Sequence, residues 1–546
     1  VAPIDTATLA AAGPRPTTGS IAGPTANPER QVRFPLAGSG PFRQDARVIG
    51  DEEACYRAIA SRDRRFDGWF FMGVTTTGIF CRPSCPATTP KRTNVRYFRS
   101  AAAAQGSGFR ACRRCRPDTA PGSPEWNQRG DLAGRAVALI DDGVVDRDGV
   151  GAVARRLAVS ERHLHRILVA ELGASALSLA RARRAQSART LIETTDLPFT
   201  QIAFAAGFAS VRQFNDTVRA YFGTSPSVLR ADRRSSRQRH RCGARSGPDD
   251  VEPNALTVIG LRLPTRTPFS GSTLLEFLAA RAIGGMEAVS DDGAYWRTLR
   301  LPYGSATAAL RAGDDHVAVS LTLRDGRDLG SAVARLRRLL DLDADPQAID
   351  AALAQDEALG ALVARTPGRR SPGTVDGTEA LVRAIVGQQV SVAGARTVLG
   401  RLVDALGTDA PAVAGAPEGL GRCFPAPEAI IDAPETAFAM PRSRHRALVS
   451  CCAAIAGGKL DLSPGAERTD TRRQLLAVAG VGPWTTEYVA MRALGDPDAF
   501  LPTDLGVRRG LESLGLAGDP RSAAALAARW RPWRAYALHH LWAAAP

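Results

Sequence analysis

The sequence predicts a multidomain chain: a small α+β domain stapled by a metal, an all-α domain of two helix-turn-helix units, an α+β domain, and an all-α domain with a helix-hairpin-helix turn. Three observations support this. Four cysteines fall in two close pairs, Cys81 with Cys85 and Cys112 with Cys115. A helical segment repeats at an offset of 50, with Ser160 aligned on Ser210 and Gly173 on Gly223. The tripeptide Gly480-Val481-Gly482 lies between apolar helical stretches and is followed about twenty residues later by Asp504. At 546 residues the chain is too long for one core.

Residues 1–50 are rich in Pro, Gly, Ala and Thr and read as a flexible leader. The segment 51–120 is organised by the cysteines. Cys55, in DEEACYRAIA, lies outside the paired spacing and reads as a packed thiol of a short helix. The other four have three residues inside the first pair, a 26-residue loop, and two residues inside the second pair. Such pairs converge on one tetrahedral ion, and four thiolates select zinc over hard cations. Two disulfides are the alternative, and they require an oxidising compartment. The chain start lacks a basic segment followed by an apolar core, so a reducing cytoplasm and one zinc ion are expected. No apolar run is long enough to span a bilayer, so no membrane partner is expected.

Around the cysteines lie Arg82, Lys91, Arg92, Arg96, Arg99, Arg110, Arg113, Arg114 and Arg116, and the whole chain has a formal net charge of +15. That balance suits a polyanion. The runs FDGWFFMGVTTTGIFCRPSCPA (66–87), NVRYF (94–98) and GFRACRRCRPD (108–118) resemble the N-terminal zinc domain of the Ada family. The resemblance implies that Cys81 irreversibly accepts a methyl group from a methylated DNA phosphate, with Cys85, Cys112 and Cys115 as the remaining ligands. Methylation removes one negative charge from the cluster, so affinity for DNA should rise. Ala111 stands where the family usually has proline.

The PDTAPGSPE stretch reads as a hinge, and 130–230 as helical. In each repeat a short helix meets a turn, a serine caps the next helix, and apolar residues recur at helical spacing: Leu164 aligns with Phe214 and Leu168 with Val218. Each second helix is able to lie in a major groove. With GFASVRQFN (207–215) and YFGTSPSVLR (221–230), the repeat resembles the AraC-type DNA-binding domain. Candidates for groove contact are Glu161, Arg162 and His165 in the first unit, and Val211, Arg212, Gln213 and Asn215 in the second. His163 reads as a packed or surface histidine. Residues 231–254 read as a basic linker.

From 255 to 365 the pattern is α+β: TVIGLRLP as a strand, STLLEFLAARAI as a helix, further antiparallel strands, and SAVARLRRLLDLDADP as a helix. No catalytic cluster is evident there, and the expected role is support. From 366 to 546 the chain is again helical, and the Gly480 and Gly482 turn offers N–H groups to a DNA phosphate. With GTEALVRAIVGQQVSVAGA, FLPTDLGV and RPWRAYALHHLW, this half resembles helix-hairpin-helix DNA glycosylases of the 3-methyladenine DNA glycosylase II type. The resemblance extends back through the α+β domain, which is then TBP-like. It implies Asp504 as the catalytic carboxylate, Trp484, Tyr488 and Trp542 as walls of the alkylated-base pocket, and Gln389 as the wedge entering the duplex. Taken alone, Asp504 also reads as a helix cap, and Trp484 as either core or pocket wall.

The only lysines are Lys91 and Lys459, and neither lies at the hairpin. Schiff-base strand cleavage needs a placed amine, so a monofunctional glycosylase is expected. No PCHR-type cysteine is present, so reversal of O6-methylguanine is not expected. The expected partners are alkylated double-stranded DNA, a promoter operator and RNA polymerase, met by a monomer in the cytoplasm at the nucleoid. A regulator whose second half only binds damaged DNA is the alternative.

Overall fold

A computed structural model of the chain describes residues 52–63, 66–117, 132–231 and 257–545. The expected leader, the hinge from residue 118 and the basic linker from residue 232 lie outside the described residues.

The first domain is a four-stranded sheet of β1 (Phe71–Val74), β2 (Ile79–Cys81), β3 (Val95–Phe98) and β4 (Arg110–Ala111), in the order β3-β1-β2-β4. Its strands are short, and the pairing between β2 and β4 is parallel. That ladder brings Cys81, at the end of β2, beside Cys112, just past β4, and the Cys112 amide donates to the Phe80 carbonyl at 3.0 Å. The Arg110 amide donates to Gly78 at 2.8 Å, so the ladder skips the Ala111 N–H. A proline there would cost the ladder nothing, and alanine loses nothing either. Cys55, on the helix Glu52–Ala60, is fully buried as a packed thiol.

The second domain includes the helices Leu132–Asp141, Val144–Arg156, Glu161–Leu172, Ala176–Thr194, Phe199–Ala205 and Val211–Phe222, followed by helical residues 226–231. The repeat expected from sequence governs its local chemistry. The Ser160 and Ser210 hydroxyls accept from the amides of His163 and Gln213, each at 3.2 Å, and cap the two recognition helices. Gly173 and Gly223 end those helices in the left-handed conformation, at φ 67° and 64°. Leu164, Leu168, Phe214 and Val218, the aligned apolar positions, are all fully buried.

The third domain is an antiparallel sheet of β5 (Thr257–Pro264), β6 (Glu287–Val289), β7 (Tyr295–Arg300), β8 (Ser305–Ala312) and β9 (His316–Leu323), in the order β5-β9-β8-β7-β6. The helices Gly271–Ala279 and Leu329–Leu339 pack on it. The last domain is helical and has two apolar cores. One gathers around Trp530, Tyr536 and Leu541, the other around Leu381, Ile385 and Leu448. Trp484 and Tyr488 are partly buried against both. They therefore line the seam between the cores.

Buried polar contacts join the domains. The Asp142 carboxylate receives Arg147, Arg335 at 3.1 Å and Arg338 at 3.6 Å, while its carbonyl accepts from the Ser331 hydroxyl at 2.7 Å. Arg266 of the third domain donates to the Asp67 carbonyl of the first at 2.7 Å and to the Asp343 carbonyl at 2.8 Å. A cavity of about 930 Å³ lies where the four domains meet, lined by Arg82, Arg183, Arg337 and Trp533 among others. Asp504, Trp484 and Trp542 are not among its lining residues.

Candidate active site and zinc centre

In the first domain, the ligand sulfurs of Cys81, Cys85, Cys112 and Cys115 all lie within 4.8 Å of one another, and all four side chains are buried. Four sulfurs about 2.3 Å from one tetrahedral ion stand about 3.8 Å apart, so the group fits zinc. Hydrogen bonding from Cys112, reinforced by the other sulfurs and by burial, pushes the Cys81 thiol up. Cys112, Cys85 and burial raise Cys115 against the opposing effect of Cys81, while Cys85 is lowered to about 7. Four thiolates this close require a cation among them, and the group holds one Zn²⁺. The loop between the first two ligands is fixed from behind. The Asp67 carboxylate accepts from the Ser84 amide at 3.0 Å and hydroxyl at 2.6 Å, and pairs with Arg82 at 3.3 Å.

Metal removal tests this centre. One face of the sheet packs through Phe71, Phe80, Phe98 and Phe109 into a core shared with the second domain, whereas the cysteine face is backed only by a small apolar cluster around Trp69, Phe70 and Met72 and depends on the ion. Chelation is expected to release one zinc per chain and to open the 82–116 segment to limited proteolysis. A segment that stays resistant after the ion has gone would contradict it.

The recognition helices of the second domain present Glu161, Arg162 and His165 to solvent, and Arg212 with a side chain 93% exposed. His163 is half-buried and contacts Arg166 at 2.7 Å. Val211 and Asn215 are half-buried. Gln213 is half-buried and its side-chain Oε1 accepts from the Ala209 amide at 3.2 Å, so this side chain serves the helix start. Arg166 and Arg219 are further exposed cations on these two helices that sequence reasoning did not single out.

In the last domain the expected residues converge. Asp504 is the N-cap of the helix Leu505–Ser513, and its Oδ1 accepts from the Val507 amide at 3.0 Å. The same Oδ1 accepts from Trp542 Nε1 at 2.8 Å, and Oδ2 accepts from Trp484 Nε1 at 2.9 Å. The cap reading of Asp504 holds, and the carboxylate stays half-buried at the cleft between the two indoles. Trp484 is half-buried, packs on both cores and stacks on Tyr488 at 5.3 Å with an 18° interplanar angle. Trp533 is buried against Tyr536, and Arg534 forks onto Asp498 at 2.7 and 3.0 Å, so both brace the fold.

The third domain, expected from the sequence to serve as support, packs against the cleft through Phe277. Its Phe277 stacks on Trp542 at 5.9 Å and 14°, and Arg281 lies 3.7 Å over the Phe277 ring. Burial lowers the Arg281 pKa, while Tyr488 and Asp504 act to raise it. His539 meets both rings edge-on, at 5.0 Å from Phe277 and 4.9 Å from Trp542. Burial, with Arg492 and Arg281 nearby, drives its pKa well below the usual value, so it is neutral. Arg281 lies in the turn just past the helix Gly271–Ala279, and its guanidinium folds back to donate to the Phe277 carbonyl at 3.2 Å.

Space is tight behind Trp542. A Cβ added at Gly506 would come within 2.7 Å of the Trp542 ring and 3.1 Å of Asp504 Oδ1. Gly506→Ala is expected to displace the indole and lower the rate of base release by about tenfold, with little change in melting temperature. An unchanged rate would show that the indole position is not needed.

At the DNA-facing edge, Gly480 is exposed at φ 92°, and a Cβ there would meet Ala447 at 2.9 Å. Among the described residues, neither the Gly480 nor the Gly482 amide has a carbonyl acceptor in the chain. Both are available to an anion ahead of the helix Pro483–Arg492. Gln389 is exposed and adopts φ 56°, with exposed Val390 and Val392 beside it. Lys459 lies exposed beyond the helix Arg442–Ala456, and no lysine stands at the hairpin.

A helix-hairpin-helix hairpin beside a tryptophan-held carboxylate, with a four-cysteine zinc domain and paired helix-turn-helix units, defines a DNA-binding repair protein of the base-excision class. Family models match in the same order: the metal binding domain of Ada over 54–118, a helix-turn-helix domain over 153–232, the AlkA N-terminal domain over 260–376, and the HhH-GPD superfamily base excision DNA repair protein over 382–535. The chain belongs to the family of bifunctional transcriptional activator/DNA repair enzymes AlkA. It is 51% identical over 492 residues to the probable enzyme of that name from Mycobacterium tuberculosis (strain ATCC 25618 / H37Rv), covering 90% of this chain and 96% of that one. It is 34% identical to the DNA-3-methyladenine glycosylase 2 of Escherichia coli (strain K12), over 50% of this chain and 94% of that one. It is also 35% identical to the bifunctional transcriptional activator/DNA repair enzyme Ada of Escherichia coli (strain K12), over 28% of this chain and 42% of that one. Among the described residues no helix is long and apolar enough to cross a membrane.

Proposed function

We propose that the protein repairs and senses alkylated DNA, as a monofunctional glycosylase that releases bases such as 3-methyladenine and as a methyl acceptor that activates transcription. The observation that carries the first activity is the Asp504 carboxylate, clamped by two indole N–H groups at 2.8 and 2.9 Å inside an aromatic cleft. An alkylated purine bearing positive charge is already a good leaving group. As its glycosidic bond breaks, the electron pair leaves with the base and the sugar becomes cationic. Asp504 stabilises that cation and orients the water that adds to it, leaving an abasic site. Trp484, Tyr488 and Trp542 offer aromatic faces that favour an electron-poor ring, Gln389 fills the gap left by the flipped nucleotide, and Gly480 and Gly482 hold a backbone phosphate.

In the second activity the Cys81 sulfur attacks the methyl carbon of a phosphotriester. The carbon–oxygen bond breaks toward the phosphate, which regains its negative charge, and Cys81 becomes a thioether. When bound, zinc keeps the four sulfurs deprotonated. The cluster then carries one negative charge less, which strengthens DNA binding through Arg162, His165, Arg212 and Gln213. Two helix-turn-helix units in one chain supply two groove-reading helices without a dimer partner, which supports a monomer that meets RNA polymerase at a promoter in the nucleoid.

The experiment follows free bases, strand breaks and labelled methyl groups from methylated duplex DNA. Expected are released bases without strand breaks, and label on a peptide containing Cys81 that is absent in Cys81→Ser. Strand cleavage lost in Lys459→Ala would overturn the monofunctional assignment. Absence of base release by folded, zinc-loaded protein would favour a regulator whose second half only binds damaged DNA.

A further inference from the structure

Two adjacent glutamines stand at the tip of the loop before the helix Val392–Leu406, and the sequence reading gives a role only to Gln389. The structure separates them. Gln389 is exposed with left-handed backbone, whereas the half-buried Gln388 folds back onto the hairpin. Its Nε2 donates to the Gly480 carbonyl at 3.2 Å and to the Thr485 hydroxyl at 2.9 Å. An amide nitrogen carries two hydrogens, and both are thereby used. Gln388 therefore has no donor left for DNA. Both acceptors are themselves fixed. Thr485 is 2% exposed in the first turn of the helix Pro483–Arg492, and Gly480 is the turn residue whose amide is open to a phosphate.

We propose that Gln388 is a positioning residue, a strut that sets the distance between the wedge at Gln389 and the phosphate-holding hairpin. The inference rests on the reading of Gln389 as the wedge and deepens it. A nucleotide stays out of the helix only if the wedge fills its place while the backbone is held, and both contacts must meet one duplex at one spacing. Alone, the loop from 389 to 392 is exposed at every position and is held in register by Gln388 from its N-terminal side and by the Ser391 cap, accepting from Gly394 at 3.1 Å, from the other. Removing the strut leaves phosphate capture and wedge each intact but no longer rigidly spaced.

The test is a double-mutant cycle on the full-length protein with Gln388→Met, which keeps the shape and removes the donor, and Thr485→Val, which removes one acceptor. Two readouts are taken with a lesion-containing duplex at saturation: the single-turnover rate of base release, and the fluorescence of a 2-aminopurine beside the lesion, which reports unstacking. Gln388→Met is expected to lower both the rate and the unstacked fraction by about tenfold, and Thr485→Val by about threefold. The double variant should equal Gln388→Met alone, with melting temperatures unchanged. Values within twofold of wild type for Gln388→Met, or losses that multiply in the double variant, would overturn the strut. Gln389→Ala separates the two ideas. If it lowers unstacking while Gln388→Met does not, the wedge stands and the strut fails; if it leaves unstacking unchanged, the wedge reading itself fails.

Discussion

Asp504→Asn lowers the single-turnover rate of base release by about two orders of magnitude or more, while the protein keeps its fold. Asparagine caps helices about as well as aspartate, so the bond to the Val507 amide survives. What changes is the other end. Trp484 Nε1 donates to Oδ2 at 2.9 Å, and an amide nitrogen in that place would set donor against donor. With the amide turned round, the same conflict falls on Trp542 and Val507, which share Oδ1. The variant thus loses the negative charge and loosens the cleft together. Because a cationic base departs with less help, the loss should be smaller for 7-methylguanine than for a neutral lesion such as hypoxanthine. Equal loss on both would argue that Asp504 acts by shape rather than by charge. Base release resolved by chromatography, beside a thermal melt of each variant, is the measurement.

The second large effect is on stability. Arg297→Ala is expected to cost about 3 to 5 kcal/mol. Arg297 is 1% exposed and joins Glu287 at 3.4 Å to Glu379 at 2.9 Å, while Arg383 pairs with the same two carboxylates at 2.6 and 2.8 Å. Two charges of each sign balance in a buried box between the sheet of the third domain and the helix Gly377–Val386. Arg383 also donates to the Arg281 carbonyl at 3.1 Å, so the box props the helix end that carries the Arg281 and Phe277 wall. Removing one guanidinium leaves an uncompensated buried carboxylate.

The pH dependence has a definite sign. Burial acts to raise the Glu287 pKa, but Arg383 and Arg297 outweigh it and hold the carboxyl at about 2. In the wild type this stability is present above the ordinary glutamate pKa and is lost as pH falls toward 2. In the variant burial has less to oppose it, so the carboxyl pKa rises and protonation relieves the penalty. The gap between variant and wild type is therefore widest at neutral pH and narrows as pH falls. Denaturant midpoints at several pH values measure it, and a gap that widened on acidification would contradict the charge-balance account.

Much of this protein was legible because its chemistry is local in the chain. The spacing of the four cysteines, the serine caps at Ser160 and Ser210, the left-handed glycines that close both recognition helices, and the hairpin at Gly480 all act over a few residues. Such signals survive in a linear reading, and each element was found where the sequence had put it. The composition also carried an expectation: with two lysines in the sequence, neither at the hairpin, the monofunctional reading follows and Lys459→Ala tests it.

The tertiary structure decided what depends on distant segments meeting. Phe277 and Arg281 looked like ordinary members of an amphipathic helix until the fold stacked Phe277 on Trp542 of the last domain. Asp504 had two readings in the sequence, and the structure shows the helix cap together with the two indoles that meet its oxygens. Gln388 had no role in the sequence reading, and only the fold shows it tied to Gly480 and Thr485 beside the exposed Gln389. The physical reason is the range of the interactions. Caps, turns and paired ligands are set by backbone geometry within a turn or two of chain, whereas a pocket wall, a carboxylate clamp and a strut exist only once separate elements have packed, and packing partners leave no spacing in the sequence to be read.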